Sequence, residues 1–212
     1  MKLDKKSLLL YAVTDRMWLN GRTLAHDVEE TLLGGATFMQ LREKDASYEE
    51  FLQQAKEVKA VCKKYNVPFV INDNIDIALA VDAAGVHVGQ SDMEAGSVRQ
   101  KLGEDKIIGV SVRTVEEARL AWERGADYLG VGAVFQTATK LDAGDVTFGG
   151  LKEICNAVPI PVVAIGGISR ENVEQLAGTD IDGVAVVSAL FGAPDIQKAT
   201  AEMKEKLLKI VK

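Results

Sequence analysis

The stretch Pro68-Phe69-Val70-Ile71, followed by Asn72-Asp73, shows the repeating unit that decides the fold of this chain. Because apolar and polar residues do not alternate over Pro68–Ile71, the run is typical of a parallel strand buried on both faces. Polar residues follow at once, and a helical pattern begins after them. The same unit recurs along the chain, with further strands predicted at Leu8–Val13, Phe38–Leu41, Gly85–Val88, Ile107–Ser111, Tyr128–Val131, Pro161–Ala164 and Gly183–Val187.

Amphipathic helical segments separate these strands. Between the second and third strands, for example, apolar residues repeat at helical spacing at Phe51, Ala55, Val58, Cys62 and Tyr65. Eight strand–helix units predict an α/β fold, a (β/α)8 TIM barrel, with a doubly wound open sheet as the alternative. No linker-like or low-complexity tract divides the chain, so residues 1–212 are predicted to form a single domain.

Charge and cysteine content limit the possible functions. The formal net charge of -6 argues against a general binder of nucleic acid or membrane surfaces. Cys62 and Cys155 lie far apart at apolar positions of helical segments, which favours buried, reduced thiols over a disulfide or a metal site. With no signal peptide and no run long enough to span a bilayer, a cytoplasmic location is expected.

The functional site of such a barrel lies at the C-terminal ends of its strands. The second predicted strand runs into Gln40-Leu41-Arg42-Glu43-Lys44. Strand alternation would bring Gln40, Arg42 and Lys44 to one face, where a guanidinium and an ammonium group suit a diphosphate. The alternative is a solvated strand end whose charges pair with nearby carboxylates.

Two aspartates follow neighbouring predicted strands, Asp73 after the third and Asp92 after the fourth. Two carboxylates with substrate phosphates and water make a plausible Mg²⁺ site, because Mg²⁺ needs few protein ligands. Each could instead be a turn or helix N-cap residue, and the two together could be an acid/base pair. His87, one position inside the end of the fourth strand, is interpreted as a structural histidine.

The remaining strand ends predict a second anion site. Ser111 ends the fifth strand, and the long segment after the sixth carries Thr137, Thr139 and Lys140. Gly166-Gly167 follows the seventh strand and Val187-Ser188 the eighth, which is where such barrels commonly bind one phosphate. Two phosphorylated ligands at one site indicate a joining reaction with pyrophosphate as the leaving group.

In this order and at these strand ends, the motifs resemble those of thiamine-phosphate synthases over nearly the whole chain. The residues that carry the resemblance are Leu10-Tyr11-Ala12-Val13-Thr14-Asp15-Arg16, Gln40-Leu41-Arg42-Glu43-Lys44, Ile71-Asn72-Asp73, His87-Val88-Gly89-Gln90 with Asp92, Gly109-Val110-Ser111, Thr137-Ala138-Thr139-Lys140, Gly166-Gly167-Ile168 and Val187-Ser188. The chain departs from the family at Ala133 and Gln136, where proline is common.

The resemblance implies a transferase that joins 4-amino-2-methyl-5-hydroxymethylpyrimidine diphosphate to 4-methyl-5-hydroxyethylthiazole phosphate, or to its carboxylated form, by a dissociative path. Thiamine monophosphate and pyrophosphate are the expected products, and Asp73 and Asp92 are the expected Mg²⁺ ligands. The residues expected to hold the pyrimidine diphosphate are Gln40, Leu41, Arg42, Glu43, Lys44, Asn72, Ser111 and Lys140. Those expected to hold the thiazole phosphate are Thr137, Ala138, Thr139, Gly167, Val187 and Ser188. The expected catalytic set is Arg42, Lys44, Ser111 and Lys140.

Two other functions remain open at this point. A thiazole tautomerase-like isomerase would need only the phosphate site and a proton-transfer group, and a non-catalytic sensor would bind a phosphorylated ligand without turning it over. Retention of Arg42, Lys44, Asp73, Asp92 and Lys140 argues against both. The expected partners are small molecules, with no nucleic acid and no membrane, and homo-oligomer formation is left open.

Overall fold

A computed structural model describes residues 3–89, 95–136 and 146–211 of the chain. Eight parallel strands pair in chain order and close into a barrel, because the first strand also pairs with the eighth. This confirms the predicted TIM barrel and excludes the open doubly wound sheet. The strands are β1 Leu10–Val13, β2 Phe38–Leu41, β3 Phe69–Asn72, β4 Gly85–Val88, β5 Ile107–Val112, β6 Tyr128–Val131, β7 Val162–Ile165 and β8 Gly183–Val186.

Helices surround the barrel. They are α1 Leu24–Leu33, α2 Tyr48–Lys64, α3 Ile75–Ala80, α4 Ala95–Leu102, α5 Val115–Glu123, α6 Phe148–Ala157, α7 Ser188–Phe191 and α8 Ile196–Ile210. Short 3-10 helices lie at Lys5–Leu8, Arg16–Trp18 and Val173–Leu176. Across residues 3–89, 95–136 and 146–211, none of the helices combines the length and apolar character that crossing a membrane requires.

The observed bounds differ from several predicted ones. The strands at Phe38–Leu41, Gly85–Val88 and Tyr128–Val131 are as predicted, whereas β5 is one residue longer and β8 one residue shorter. β1 begins at Leu10 rather than Leu8, because the preceding residues form a 3-10 helix capped by the Asp4 side chain. β3 and β7 begin after their prolines, which lack an N–H for the strand ladder, and each extends one residue further than predicted.

Two apolar layers pack on the strands. Inside the barrel, the largest side chains are Tyr11, Phe38 and Tyr128, all at most 1% exposed. The second layer fills the space between barrel and helices, and the predicted apolar face of α2 is buried there. Both cysteines are free, but only Cys62 is buried; Cys155 is partly exposed, which corrects the prediction of two buried thiols.

Ionic contacts brace the N-terminal end of the barrel, which we call the base. Arg99 of α4 donates to the carbonyls of Gly103, Lys106 and Gly125 and to the Asp127 carboxylate, at 2.6 to 2.9 Å. The same carboxylate accepts from the backbone N–H of Ile108 in β5. The charges at the base are therefore used to join helices, turns and strand starts.

Candidate active site

The C-terminal end of the barrel, which we call the mouth, carries Gln40, Arg42, Asn72, Asp73 and Ser111 at the ends of β2, β3 and β5. Gln40 is only 3% exposed and faces the barrel interior. Its Nε2 donates to the hydroxyl of Tyr11 at 2.5 Å, so the buried amide has a partner that offsets the loss of water. A polar contact thus lies directly beneath the mouth.

Two residues that directly follow β1 hold Arg42 in place. The backbone N–H of Arg42 donates to Thr14 Oγ1 at 3.0 Å, and its guanidinium Nη1 lies 3.5 Å from the Asp15 carboxylate. Asp15 also caps the following 3-10 helix by accepting from the backbone N–H of Met17. The strand itself ends at Leu41, so the predicted alternation of Gln40, Arg42 and Lys44 along one strand is wrong. Contacts from the segment that follows β1, rather than strand pleating, fix the position of Arg42.

Glu43 is a buried acid beside this arginine. Its side chain is 2% exposed, its Oε2 lies 3.6 Å from Arg16, and its Oε1 has no hydrogen-bond partner among the described residues. Burial raises the pKa of the Glu43 carboxyl, and the nearby Arg16 opposes that rise only in part. Lys44, by contrast, is exposed, and the Leu41 side chain lies entirely in the layer between barrel and helices. Any ligand contact by Leu41 must therefore use its main chain.

Asp73 stands in an exposed turn after β3 with φ of +60°, a left-handed conformation that aspartate tolerates. Its carboxylate accepts from Asn72 Nδ2 at 2.5 Å, and its backbone N–H donates to the carbonyl of His87. The N-cap of α3 is Asn74, whose side chain accepts from Ile77, so Asp73 is a turn residue but not the helix cap. Asp92, its predicted partner, lies outside the described residues.

A hydrogen-bond chain crosses the barrel below the mouth. His87 Nε2 lies 2.9 Å from Ser111 Oγ, and His87 Nδ1 lies 3.0 Å from the Tyr128 hydroxyl. The Tyr128 hydroxyl lies 2.8 Å from that of Tyr11, which in turn accepts from Gln40. With both ring nitrogens bonded and 8% exposure, His87 has the environment expected of a structural histidine.

The loops after β7 and β8 border the mouth from the other side. Gly167 has φ of +63°, and a Cβ there would lie 2.3 Å from the carbonyl oxygen of Gln136, so only glycine fits. Val187 precedes α7, and Ser188 is the exposed first residue of that helix. Residues 137–145 lie outside the described ranges, and with them the predicted sites at Thr137, Ala138, Thr139 and Lys140.

Sequence reasoning assigned no role to the residues that support the site. Thr14 and Asp15 hold Arg42, Arg16 pairs with Glu43, and two tyrosines join Gln40 to His87. The tyrosines in the apolar strands could have indicated such contacts, because a tyrosine that faces the barrel interior needs a hydrogen-bond partner for its hydroxyl group. Within the described ranges, no group of three or more His, Cys, Asp or Glu side chains is placed to hold a metal.

Comparison with known proteins adds a family to this geometry. Residues 10–190 match the family model described as thiamine monophosphate synthase. The thiamine-phosphate synthase of Clostridium tetani is 54% identical over 194 residues, which are 92% of this chain and 93% of that protein. The thiamine-phosphate synthase of Clostridium botulinum is 50% identical over 98% of this chain and 97% of its own length.

A solved structure agrees with these relatives. Thiamine phosphate pyrophosphorylase from Pyrococcus furiosus superposes with a TM-score of 0.91 at 40% identity, over 98% of this chain and 99% of that one. Fold, strand-end residues and relatives therefore agree. The chain belongs to the thiamine monophosphate synthase family and is an enzyme of thiamine biosynthesis, a transferase with thiamine-phosphate synthase activity.

Proposed function

We propose that this enzyme joins 4-amino-2-methyl-5-hydroxymethylpyrimidine diphosphate to 4-methyl-5-hydroxyethylthiazole phosphate with the help of Mg²⁺, releasing pyrophosphate. The observation that carries the proposal is the shared position of Arg42, Asp73 and Ser111 at one end of a closed barrel. A cation, a carboxylate and a hydroxyl group there supply what a diphosphate ester, its metal ion and its organic part require.

Arg42, Lys44 and Lys140 act on the leaving group. Negative charge grows on the pyrophosphate as its bond to the pyrimidine methylene breaks, so fixed cations stabilise the transition state more than the ground state. Arg42 suits this role because the Thr14 and Asp15 contacts hold its backbone and guanidinium before any ligand arrives. Lys44 is exposed and supplies a charge that can follow the leaving group.

Asp73 fits the requirements of a Mg²⁺ ligand. Its carboxylate is exposed at the mouth, is not used to cap α3, and is oriented by the Asn72 amide. Mg²⁺ prefers oxygen ligands and commonly takes only one or two carboxylates beside substrate phosphates and water. Asp73 and Asp92 would hold the ion, which when bound would neutralise charge on the diphosphate.

The organic parts of the two substrates need positioning rather than acid/base chemistry. Gln40, Asn72 and Ser111 present an amide, an amide and a hydroxyl group to the pyrimidine, with main-chain help from Leu41. The loops at Thr137, Ala138, Thr139, Gly167, Val187 and Ser188 receive the thiazole phosphate. In the dissociative path, electron release from the amino-pyrimidine assists bond breaking and the thiazole nitrogen then attacks, so correct placement is what the protein must supply.

A Mg²⁺ titration of the joining reaction tests this assignment. Asp73→Asn should raise the Mg²⁺ concentration for half-maximal rate by at least about tenfold, since even outer-shell changes cost about 10–100-fold in metal affinity. Asp76→Asn is the matched control, because Asp76 is an exposed aspartate in the first turn of α3, directly after the turn that contains Asp73. An equal Mg²⁺ dependence of the two variants would contradict the metal role of Asp73. Homo-oligomer formation and a cytoplasmic location stay predictions.

A further inference from the structure

One short element contacts both of the proposed ligand-binding places at the mouth. It is the 3-10 helix Arg16–Trp18 with its N-cap Asp15, which we call the bracket. At one end of the bracket, the Asp15 carboxylate lies 3.5 Å from Nη1 of Arg42, the residue proposed to meet the diphosphate. At the other end, the Trp18 ring packs against Gly192, the C-cap of α7. The bracket therefore reaches from the segment after β2 to the short helix after β8.

The contact between Trp18 and α7 leaves no room for a side chain at Gly192. A Cβ there would lie 3.0 Å from Trp18 Cε3, 3.2 Å from its Cζ3 and 2.7 Å from the carbonyl oxygen of Ser188. That carbonyl accepts from the backbone N–H of Gly192 at 2.9 Å and so closes the turn of α7. The Trp18 ring thus packs against the turn that begins with Ser188, a residue proposed to receive the thiazole phosphate.

Hydrogen bonds fix the bracket itself. The Asp15 carboxylate accepts from the backbone N–H of Met17 at 3.1 Å, and the Asp15 carbonyl accepts from that of Trp18 at 3.3 Å. The Trp18 carbonyl accepts from Arg22 Nη2 at 3.0 Å, and Arg22 Nε donates to the fully buried Asp27 of α1 at 2.7 Å. The bracket is thereby joined to α1 and can hold a neighbouring element in place.

Packing, and not a hydrogen bond, sets the position of the Trp18 ring. Trp18 Nε1 is buried and has no hydrogen-bond partner among the residues that the structure describes. A buried indole N–H usually has a partner, and leaving it without one costs stability. A leucine or a phenylalanine would fill apolar space without this cost, so the contact of the ring with α7 needs an explanation.

We propose that Trp18 is a positioning residue that holds α7 at a fixed distance from Arg42 and so sets the spacing between the two substrates. This inference rests on the proposed function, in which Arg42 meets the diphosphate and Ser188 meets the thiazole phosphate. The joining reaction needs the thiazole nitrogen close to the pyrimidine methylene, and a misplacement of about 1 Å can cost about 100-fold in rate. A fixed element that contacts both places supplies that placement.

Trp18→Leu removes the ring contact and keeps an apolar side chain. The KM for thiazole phosphate should rise at least about tenfold and kcat should fall, because α7 loses its fixed position. The Kd for pyrophosphate in the presence of Mg²⁺ should stay within about twofold, because the contact between Asp15 and Arg42 does not use the Trp18 side chain. A lower Tm with both quantities unchanged would show a structural role alone and overturn the inference. Equal changes in both quantities would also overturn it.

Gly192→Ala tests the same contact from α7, and it carries the test if Trp18→Leu does not fold. The new Cβ would meet the Trp18 ring and the Ser188 carbonyl, so the ring or the helix must shift. The KM for thiazole phosphate should again rise at least about tenfold while the Kd for pyrophosphate is unchanged. Trp18→Phe keeps part of the ring and should give a KM between those of the native protein and Trp18→Leu. A native KM in a folded Gly192→Ala variant would overturn the inference.

Val61→Ala is the matched control for lost stability. Val61 lies near the end of α2, is partly buried as Trp18 is, and packs in the layer between barrel and helices. The control should lower Tm and yet keep the native KM for thiazole phosphate. A rise in KM like that of Trp18→Leu would show that lost stability alone raises KM, and would overturn the inference.

Failure of the proposed function has a different signature. The native protein would then form no thiamine monophosphate from the two precursors, whatever residue stands at position 18. Product formation by the native protein, together with a native KM for thiazole phosphate in the folded Trp18 and Gly192 variants, would contradict the role of Trp18 alone.

Discussion

The base and the mouth of the barrel use charged residues in opposite ways. At the base, Arg99 satisfies three carbonyls and the Asp127 carboxylate, and both partners of each contact are fixed. At the mouth, within residues 3–89, 95–136 and 146–211, the Arg42 guanidinium lies 3.5 Å from the Asp15 carboxylate and Glu43 has a buried oxygen without a hydrogen-bond partner. This difference supports the proposal that the charges of the base stabilise the fold, whereas those of the mouth bind a ligand.

Two carboxyl groups express this difference as opposite pKa shifts. At the base, hydrogen bonding and attraction from Lys106, helped by Lys59, lower the pKa of Asp82. At the mouth, burial raises the pKa of Glu43 in spite of Arg16 and Arg42. The folded protein therefore favours the ionised form of Asp82 and disfavours the ionised form of Glu43. Substitutions at the two ends should accordingly separate activity from stability.

The largest expected effect is that of Arg42→Ala at the mouth. Loss of a preorganised cation should lower kcat/KM by about 100–1000-fold, while Tm changes little because the Asp15 contact is long. Arg42→Lys restores the charge without the planar fork and should recover only part of the rate. Steady-state kinetics and thermal unfolding of the same samples provide both numbers. A large fall in Tm with unaltered kcat/KM would reverse the assignment of the two ends.

Arg99→Ala at the base should show the converse behaviour. Three carbonyls and the Asp127 carboxylate lose a charged donor, which should cost about 3 kcal/mol in the free energy of unfolding. For a chain of this length Tm would fall by about 6–12 °C. Both KM values should stay as in the native enzyme when assayed well below Tm. Arg99→Lys keeps the charge but cannot reach all four acceptors, so its Tm should lie between those of Arg99→Ala and the native protein.

Glu43→Gln should stabilise the protein by about 1 kcal/mol at pH 7. Because the folded-state pKa of Glu43 is raised, the folded protein holds this proton more tightly, and ionisation costs stability as the pH rises above the ordinary value of 4.5. The gain from the amide should therefore vanish near pH 4.

Denaturant unfolding at pH 4 and pH 7 measures this effect. Glu50→Gln is the control of opposite sign, since the capping box of α2 lowers the pKa of Glu50. A Glu43→Gln variant that is less stable than the native protein at pH 7 would show that its ion pair with Arg16 outweighs burial.

The smallest expected effect is that of Asp82→Asn at the base. The carboxylate is 80% exposed, so its pairs with Lys106 and Lys59 are screened by water, and Tm should fall by only about 1–2 °C at low salt. Its lowered pKa makes this contribution present above the ordinary value of 3.8 and lost as the pH falls through and below it. Thermal unfolding at low and high salt, and at pH 3 and pH 7, checks both dependences.

The barrel was predictable because each strand is a short apolar run with polar residues at its end. The predicted start of β1 was wrong because the apolar run begins before the strand does. Leu8 and Leu9 are apolar, and the sequence gives no sign that a 3-10 helix precedes β1. The polar side chains at the mouth, Gln40, Arg42 and Asp73, were likewise predictable from the sequence. Charged and amide side chains that directly follow an apolar strand are easy to recognise in the sequence of an α/β barrel.

The supporting contacts were not predictable from one sequence. Tyr11 and Tyr128 have the same appearance as apolar core residues, and only the barrel register reveals that both face His87. Thr14 and Asp15 reach Arg42 across 27 or more positions of the chain, a distance that local patterns do not encode. The sequence shows a glycine at position 109 but not why glycine is needed there. The need comes from packing, because a side chain at Gly109 would collide with Tyr128 and His87.

The most direct test of the central claim is the stoichiometry of the reaction at the mouth. The purified protein is mixed with both phosphorylated precursors, with Mg²⁺ or with a chelator, and thiamine monophosphate and pyrophosphate are quantified together. The account predicts equal amounts of the two products, formed only with Mg²⁺. Isomerisation of the thiazole phosphate without pyrophosphate release, or binding without any turnover by the folded protein, would contradict it.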